Sequence, residues 1–347
     1  MGAEQGSVVG FPAWSWVFGF LIGACIGSFL NVVIYRVPRG MSLSEPRQSF
    51  CPACRHTLGV PDLFPILSWL ALRGRCRHCG ARIHPRYMLV EVLTGSLFAL
   101  LWHQHLVAAF DPAKALAYAL ASATLVAIVF IDFELYIIPD SVNAFLALVG
   151  VAWNVWLYWA GRPEATTWGM PSALAGWIVG TMAIWLILLF GRAVFGKDAM
   201  GHGDIKMARG IGAVLFPASA LLGFGLAIVA GAVLGAVQVL ARGRSQPDGE
   251  SEPGDEPTVE PESYGSILRS GLGYLLGIDI VGLFLPAVYR WWFGEDPEGA
   301  LEEEEFQVEP TMIPFGPYLA LGAIAATVFQ GPLWRLVERY QEWAGLK

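Results

Sequence analysis

A succession of long apolar segments constrains this chain more than any other feature. A helix needs about 20 predominantly apolar residues to cross about 30 Å of hydrocarbon. The sequence supplies such stretches at residues 14–35, 87–106, 116–131, 141–160 and 171–190. A further run, 207–241, has Pro217 near its middle, which predicts two short helices joined by a tight turn. The stretch 313–329 closes a set of eight. A ninth candidate, 272–292, contains Asp279 and Pro286 and reads as a re-entrant or interfacial helix. The first stretch is longer than a signal-peptide core and lacks a basic flank, so it is read as a span and not a removed leader. Only 15% of the residues are charged, against roughly 25% in soluble domains. That composition excludes a disordered chain and a single soluble globule. The expected fold class is an all-α polytopic membrane protein of about eight transmembrane helices.

Basic residues in short loops set orientation. Residues 36–86 hold nine Arg and no Lys, and the loops at 192–206 and 242–244 are also basic. These loops fall on one side when the N-terminus is outside, so that side is the cytoplasmic one. The formal charge of -7 argues against nucleic acid as a partner. It is unevenly spread: residues 245–310 carry 16 acids against 2 bases, while the rest carries 13 against 20. The acidic, Pro- and Gly-rich runs 246–262 and 295–309 read as solvated loops.

Four of the five cysteines form two knuckles, Cys51-Pro52-Ala53-Cys54 and Cys76-Arg77-His78-Cys79. Each CxxC turn presents two thiolates, and two such turns complete a tetrahedron around zinc. The reducing cytoplasm disfavours disulfides, which leaves a zinc site or a reduced, metal-free pair of knuckles. Four sulfur ligands leave no open coordination position, so the zinc is expected to be structural. Arg55, Arg75, Arg77 and Arg82 would favour the thiolates, and His56, His78 and His84 read as neighbouring surface groups. Cys25, inside the first span, reads as a small buried apolar residue.

Ionisable groups at membrane depth are functional candidates. Asp132 ends the third span, and Asp204 follows Gly201-His202-Gly203 at the start of the sixth. Two spans lie between them, and two crossings return the chain to the face it left. Asp132 and Asp204 therefore belong to the same, cytoplasmic, face. Two carboxylates that share a site hold one proton near neutrality. Such a pair can activate water and protonate a scissile carbonyl without a metal. The alternative is that both are interfacial caps, since Asp caps helices well. The glycines before Asp204 would admit a substrate backbone and a non-helical start to the span. Asp140 reads as the cap of the fourth span, and Glu134 as a solvated loop acid. Glu91, inside the second span, needs an Arg partner or a polar ligand.

The residues that carry a family likeness run in order along the chain. They begin with Gly27-Ser28-Phe29-Leu30-Asn31-Val32-Val33-Ile34-Tyr35-Arg36-Val37-Pro38 and the two knuckles. Leu67-Ser68-Trp69-Leu70, Arg73-Gly74-Arg75-Cys76, Arg86-Tyr87 and Leu89-Val90-Glu91 follow. The later half adds Asp132, Ile138-Pro139-Asp140, Ala199-Met200-Gly201-His202-Gly203-Asp204-Ile205-Lys206 and Ile313-Pro314-Phe315-Gly316-Pro317-Tyr318-Leu319-Ala320. In these motifs the chain resembles the prepilin peptidases, bifunctional type 4 prepilin leader peptidase/N-methyltransferases of the GxGD membrane aspartic protease class. The resemblance implies cleavage of type IV prepilins or type II secretion pseudopilins at the cytoplasmic face of the bacterial inner membrane, with Asp132 and Asp204 as the catalytic pair. It also implies N-methylation of the new terminus with S-adenosylmethionine, an activity associated with the knuckle domain. No Gly-rich loop of the soluble methyltransferase kind occurs in 36–86. Met88 stands where the family often has Pro, and 245–310 replaces a usually short connection.

The domain organisation expected on this basis has five parts. Residues 1–35 form the first span, 36–86 a cytoplasmic zinc-knuckle domain, and 87–244 the transmembrane peptidase core. Residues 245–310 form an acidic, cytoplasmic insert with a candidate helix at 272–292, and 311–347 the last span and tail. The partners expected are the lipid bilayer and a prepilin or pseudopilin precursor, whose basic leader the acidic insert would attract. Two other classes compete: a proton-coupled transporter with a zinc regulatory domain, and a non-enzymatic assembly scaffold. Acids at one interface and not at mid-membrane disfavour the transporter.

Overall fold

A computed structural model describes residues 10–46, 48–196, 200–242, 263–294 and 314–343. The acidic runs 246–262 and 295–309 lie outside the described residues, as do Ala199 and Ile313. The described chain up to Glu134 forms one compact unit, and that from Leu135 onward a second.

The first unit contains α1 (Trp16–Arg36), a short α2 (Leu67–Ala71), α3 (Arg86–Trp102) and α4 (Pro112–Leu135), whose last residue opens the second unit. A π-helical turn, His103–Ala108, prolongs α3. In lipid, two helices gain little from hydrophobicity and associate through close backbone packing at small residues. Gly19, Gly23 and Gly27 supply that seam on α1. A Cβ on Gly23 would lie 2.6 Å from the Phe98 Cβ, and one on Gly27 would lie 2.7 Å from the Glu91 Cα. Cys25, one face away from this seam, is exposed and not buried as the sequence suggested. The outer face of a span is solvated by lipid, so apolar residues there need no protein cover.

The second unit contains α5 (Asp140–Trp159), α6 (Ser172–Phe195), α7 (His202–Arg242), α8 (Tyr264–Leu276), α9 (Ile278–Phe284), α10 (Pro286–Phe293), α11 (Gly316–Val328) and α12 (Gln330–Trp343). A two-residue turn, Trp168-Gly169, joins the short strands β1 (Thr166–Thr167) and β2 (Met170–Pro171) between α5 and α6. Helix α7 packs on α5, α6 and α11. Its helical run is broken at Phe216 (φ 63°, ψ 170°), immediately before Pro217. The half before the break meets α6 where Gly176 faces Gly212 and Gly180 faces Ala208. It meets α5 where Gly150 faces Ala213. The half after the break meets α11 through Gly223 and Gly322. The division foreseen at Pro217 is therefore present, with separate packing partners for each half.

Among the described residues, five helices can cross a membrane by length and composition, or up to seven if each of two bent pairs counts as one span. The expectation of about eight exceeded this for local reasons. The regular part of α3 has 17 residues, and the two halves of α7 count as a single run. Helix α11 has 13 residues, about 20 Å at 1.5 Å per residue, because Pro314 and Pro332 bracket it. Helix α12 leaves α11 at 89°. The doubtful stretch 272–292 is not one helix: Gly277 (φ 72°) separates α8 from α9 by a 73° bend, and Leu285-Pro286 starts α10.

Candidate functional site

In the first unit the two knuckles fold alike. Arg55 N–H bonds to the Cys51 carbonyl at 2.8 Å, and Gly80 N–H bonds to the Cys76 carbonyl at 2.9 Å. Cys51 N–H returns to the His56 carbonyl, and Cys76 N–H to the Ala81 carbonyl. Both turns need a left-handed residue four places after the first Cys, supplied by Arg55 (φ 59°) and Gly80 (φ 71°). Flanking bridges, Phe50 with Thr57 and Arg75 with Arg82, close each loop. The rings of His56 and His78 lie against each other, tilted by 34°, with centroids 3.6 Å apart.

These turns bring the Sγ atoms of Cys51, Cys54, Cys76 and Cys79 within 4.8 Å of one another, with Cys51 and Cys79 at 4.0 Å. Zn–S bonds of about 2.3 Å in a tetrahedron separate the sulfurs by about 3.8 Å, so the four thiols fit a tetrahedral metal. Backbone amides of Cys79 and His78 pull the Cys76 thiol down to about 7. The Ala81 amide favours the Cys79 thiolate, but burial and the adjacent sulfurs of Cys76, Cys54 and Cys51 prevail and push it up to about 11. Four sulfurs this close compete for negative charge, which a divalent cation would relieve. Arg77 donates its Nε–H to Asp62 at 2.7 Å, which holds the Asp62 carboxyl below its usual range.

A cavity of about 390 Å³ opens between α1, the first knuckle and α3. Asn31 lines it, donating to the Tyr87 carbonyl at 3.0 Å while its buried Oδ1 has no hydrogen-bond partner. Glu91, 9% exposed, accepts the Ile66 N–H at 2.6 Å on the same wall. That amide, presented from a left-handed residue (φ 65°), and the Ser28 side chain answer the question Glu91 posed in the sequence: its protein partners are these and not an Arg. Glu134 is likewise not merely solvated, since it forms an ion pair with Arg86.

Asp132 belongs to this first unit, near the end of α4, and is 5% exposed. Asp204 belongs to the second, in the first turn of α7, and is 8% exposed. Its carboxylate accepts the Gly201 backbone N–H, and its own N–H bonds to the Gly201 carbonyl at 3.2 Å. Only Gly201 precedes the helix; Gly203 is already helical, where a Cβ would press within 3.1 Å of Ile138. Asp140 is not a cap, for Pro139 occupies that position and no side-chain cap bond forms. Instead Asp140 accepts both bonds of the Lys206 ammonium, at 2.6 and 2.7 Å.

Sequence reasoning missed Arg209. It is fully buried and forms a two-pronged ion pair with Asp279 at 2.6 and 2.7 Å. A lone Arg within an otherwise apolar run was the available signal.

The chain has relatives among known proteins. Residues 21–105 match the bacterial Peptidase A24 N-terminal domain, and 119–236 match the type IV leader peptidase family. The prepilin leader peptidase/N-methyltransferase of Myxococcus xanthus is 40% identical over 89% of this chain and 88% of its own length. The chain belongs to the type IV leader peptidase family. Proteins of the same name from Klebsiella pneumoniae (35% identical; 57% of this chain, 84% of the relative) and Burkholderia pseudomallei strain 1026b (32%; 73% and 82%) also match. No solved structure matches the chain. As a leader peptidase family member, the chain carries the four-cysteine cluster and Glu91 within the first matched region and Asp132 and Asp204 within the second.

Proposed function

We propose that this multi-pass membrane protein cleaves the leader of a type IV prepilin or a pseudopilin at the cytoplasmic membrane face and then methylates the new N-terminus. The observation that carries the reading is the match to prepilin leader peptidase/N-methyltransferases along most of the chain, with both aspartates inside the peptidase region. Asp132 and Asp204 act as the pair. The topological count supports this, since α5 and α6 lie between them and two crossings restore the face. The nine Arg of residues 36–86 support a cytoplasmic placement of that face, with the N-terminus outside.

The pair holds one proton. Its ionised carboxylate takes a proton from water as the oxygen attacks the scissile carbonyl. The protonated partner donates to the carbonyl oxygen, and the amine leaves with a proton as the tetrahedral centre collapses.

Cys51, Cys54, Cys76 and Cys79 would hold zinc, and four thiolates leave it a structural role. It would brace residues 36–86 beside the cavity that contains Glu91 and Asn31. S-adenosylmethionine supplies an electrophilic methyl group to an amine. The Glu91 carboxylate and the unpartnered Asn31 Oδ1 suit its cationic, hydrogen-bonding groups. Residues 87–244 would then be the peptidase core, following the methylating domain.

The test incubates the purified protein with a pre-pseudopilin, with and without S-adenosylmethionine, and weighs the products. Wild type should give a cleaved product that gains one methyl group. Asp132→Asn and Asp204→Asn, at equal abundance, should give no cleavage. Full cleavage by both variants would overturn the aspartate pair, and cleavage without methylation would overturn the second activity.

A further inference from the structure

The segment α8–α10 lies where relatives are expected to have a short connection, yet it is bound into the second unit by buried polar contacts. They end on α7 through Arg209, on α5 through Asp140 and on α6 through Trp177. Arg209 forks onto Asp279 of α9 at 2.6 and 2.7 Å, and also donates to the Tyr274 carbonyl of α8 at 3.0 Å. The guanidinium lies 4.7 Å over Trp177 of α6, whose indole N–H bonds to the Leu275 carbonyl at 2.9 Å. The Tyr289 hydroxyl of α10 donates to Asp140 at 3.2 Å, beside the Lys206 ammonium that the same carboxylate accepts. His202 meets the Tyr274 ring edge-on at 5.7 Å.

Three residues in the first two turns of α7 are thus held. His202, Lys206 and Arg209 are tied directly or through Asp140 to α8–α10, and Asp204 sits among them. A decorative insertion would not bury an ion pair with side-chain exposures of 0 and 2%. Such a pair carries a desolvation cost that an apolar pair of similar volume avoids. What the fork adds is direction: two parallel bonds and a carbonyl contact fix the rotation and depth of a helix, which apolar packing leaves looser.

We propose that α8–α10 is a positioning element of the peptidase, in which Asp279 and Tyr289, acting through Arg209 and Asp140–Lys206, set the orientation of Asp204. This rests on the reading of Asp204 as a catalytic aspartate. A small misplacement of a catalytic group costs rate rather than substrate affinity.

The experiment measures kcat and KM of full-length protein in detergent for a pre-pseudopilin. Alongside, it measures thermal midpoint and methylation of an already processed peptide. Asp279→Asn should lower kcat by about tenfold or more with KM unchanged. The double variant Arg209→Met/Asp279→Leu should recover the thermal midpoint while kcat stays low. Tyr289→Phe, which removes a single oxygen, should lower kcat by about threefold with midpoint and methylation unchanged. Wild-type kcat in Tyr289→Phe, or in the folded double variant, overturns the positioning role. Asp204→Asn runs in the same assay. If it cleaves normally, the catalytic reading itself has failed; if it is inactive while the other variants cleave normally, only the positioning role has failed.

Discussion

Lys206 places its ammonium 2.6 and 2.7 Å from the two carboxylate oxygens of Asp140, and both side chains are nearly covered. The contact joins the start of α7 to the start of α5, two residues from Asp204. Breaking a buried pair by removing one partner leaves an uncompensated charge and costs about 3 kcal/mol or more. Asp140→Asn should therefore lower the thermal midpoint in detergent markedly. Asp140→Leu/Lys206→Met, which removes both charges, should lower it much less. Equal losses in the two variants would show that the contact contributes shape and not charge.

That pair also marks where the sequence stopped being readable. The transmembrane character, the break at Pro217 and the two knuckles were legible because each depends on local patterns: apolar run length, a proline and a four-residue spacing. The partners of Asp140, Glu134 and Glu91 were not. Each is an acid whose role is set by a residue 66, 48 or 25 positions away, and no local spacing encodes which element will face it. The 272–292 stretch was ambiguous for a related reason. Pro286 announced one break, the other at Gly277 went unread, and Asp279 could be rationalised only once Arg209 was opposite it.

The glycine seam of α1 offers a steric test. A Cβ at Gly27 would lie 2.7 Å from the Glu91 Cα, which is backbone and has no rotamer to change. Gly27→Ala should push α3 away from α1 at a cost of about 1–3 kcal/mol. Because Glu91 rides on the displaced segment, methylation of a processed peptide should fall. Gly235→Ala, at a helical position where a Cβ meets no atom within 4 Å, provides the control and should leave methylation intact. A Gly27→Ala protein with wild-type methylation would show that the seam tolerates spreading.

The four-sulfur cluster predicts stoichiometry. Metal analysis of protein purified without added chelator should find about one zinc per chain. Cys51→Ser removes a buried ligand and should lose that zinc, and with it the fold of residues 36–86, since site formation and folding are coupled. Methylation should disappear and prepilin cleavage should persist. A chelator strong enough to strip the metal should reproduce the variant, and added zinc should reverse it. Retained methylation in a zinc-free preparation would separate the knuckles from the second activity.

Glu91 gives the sharpest separation of the two activities. Its carboxylate faces a cavity in the first unit, held by the Ile66 amide, while Asp204 belongs to the second unit. Glu91→Gln keeps the size and the acceptor for Ile66 but removes the negative charge. If that charge attracts the cationic methyl donor, the KM for S-adenosylmethionine should rise by about tenfold, consistent with loss of one charge-assisted contact worth about 1.5 kcal/mol. The rate of leader cleavage should not change. Equilibrium dialysis with labelled S-adenosylmethionine measures the same difference without turnover, which excludes an effect on the chemical step alone. Unchanged donor affinity in Glu91→Gln would move the donor site away from this cavity.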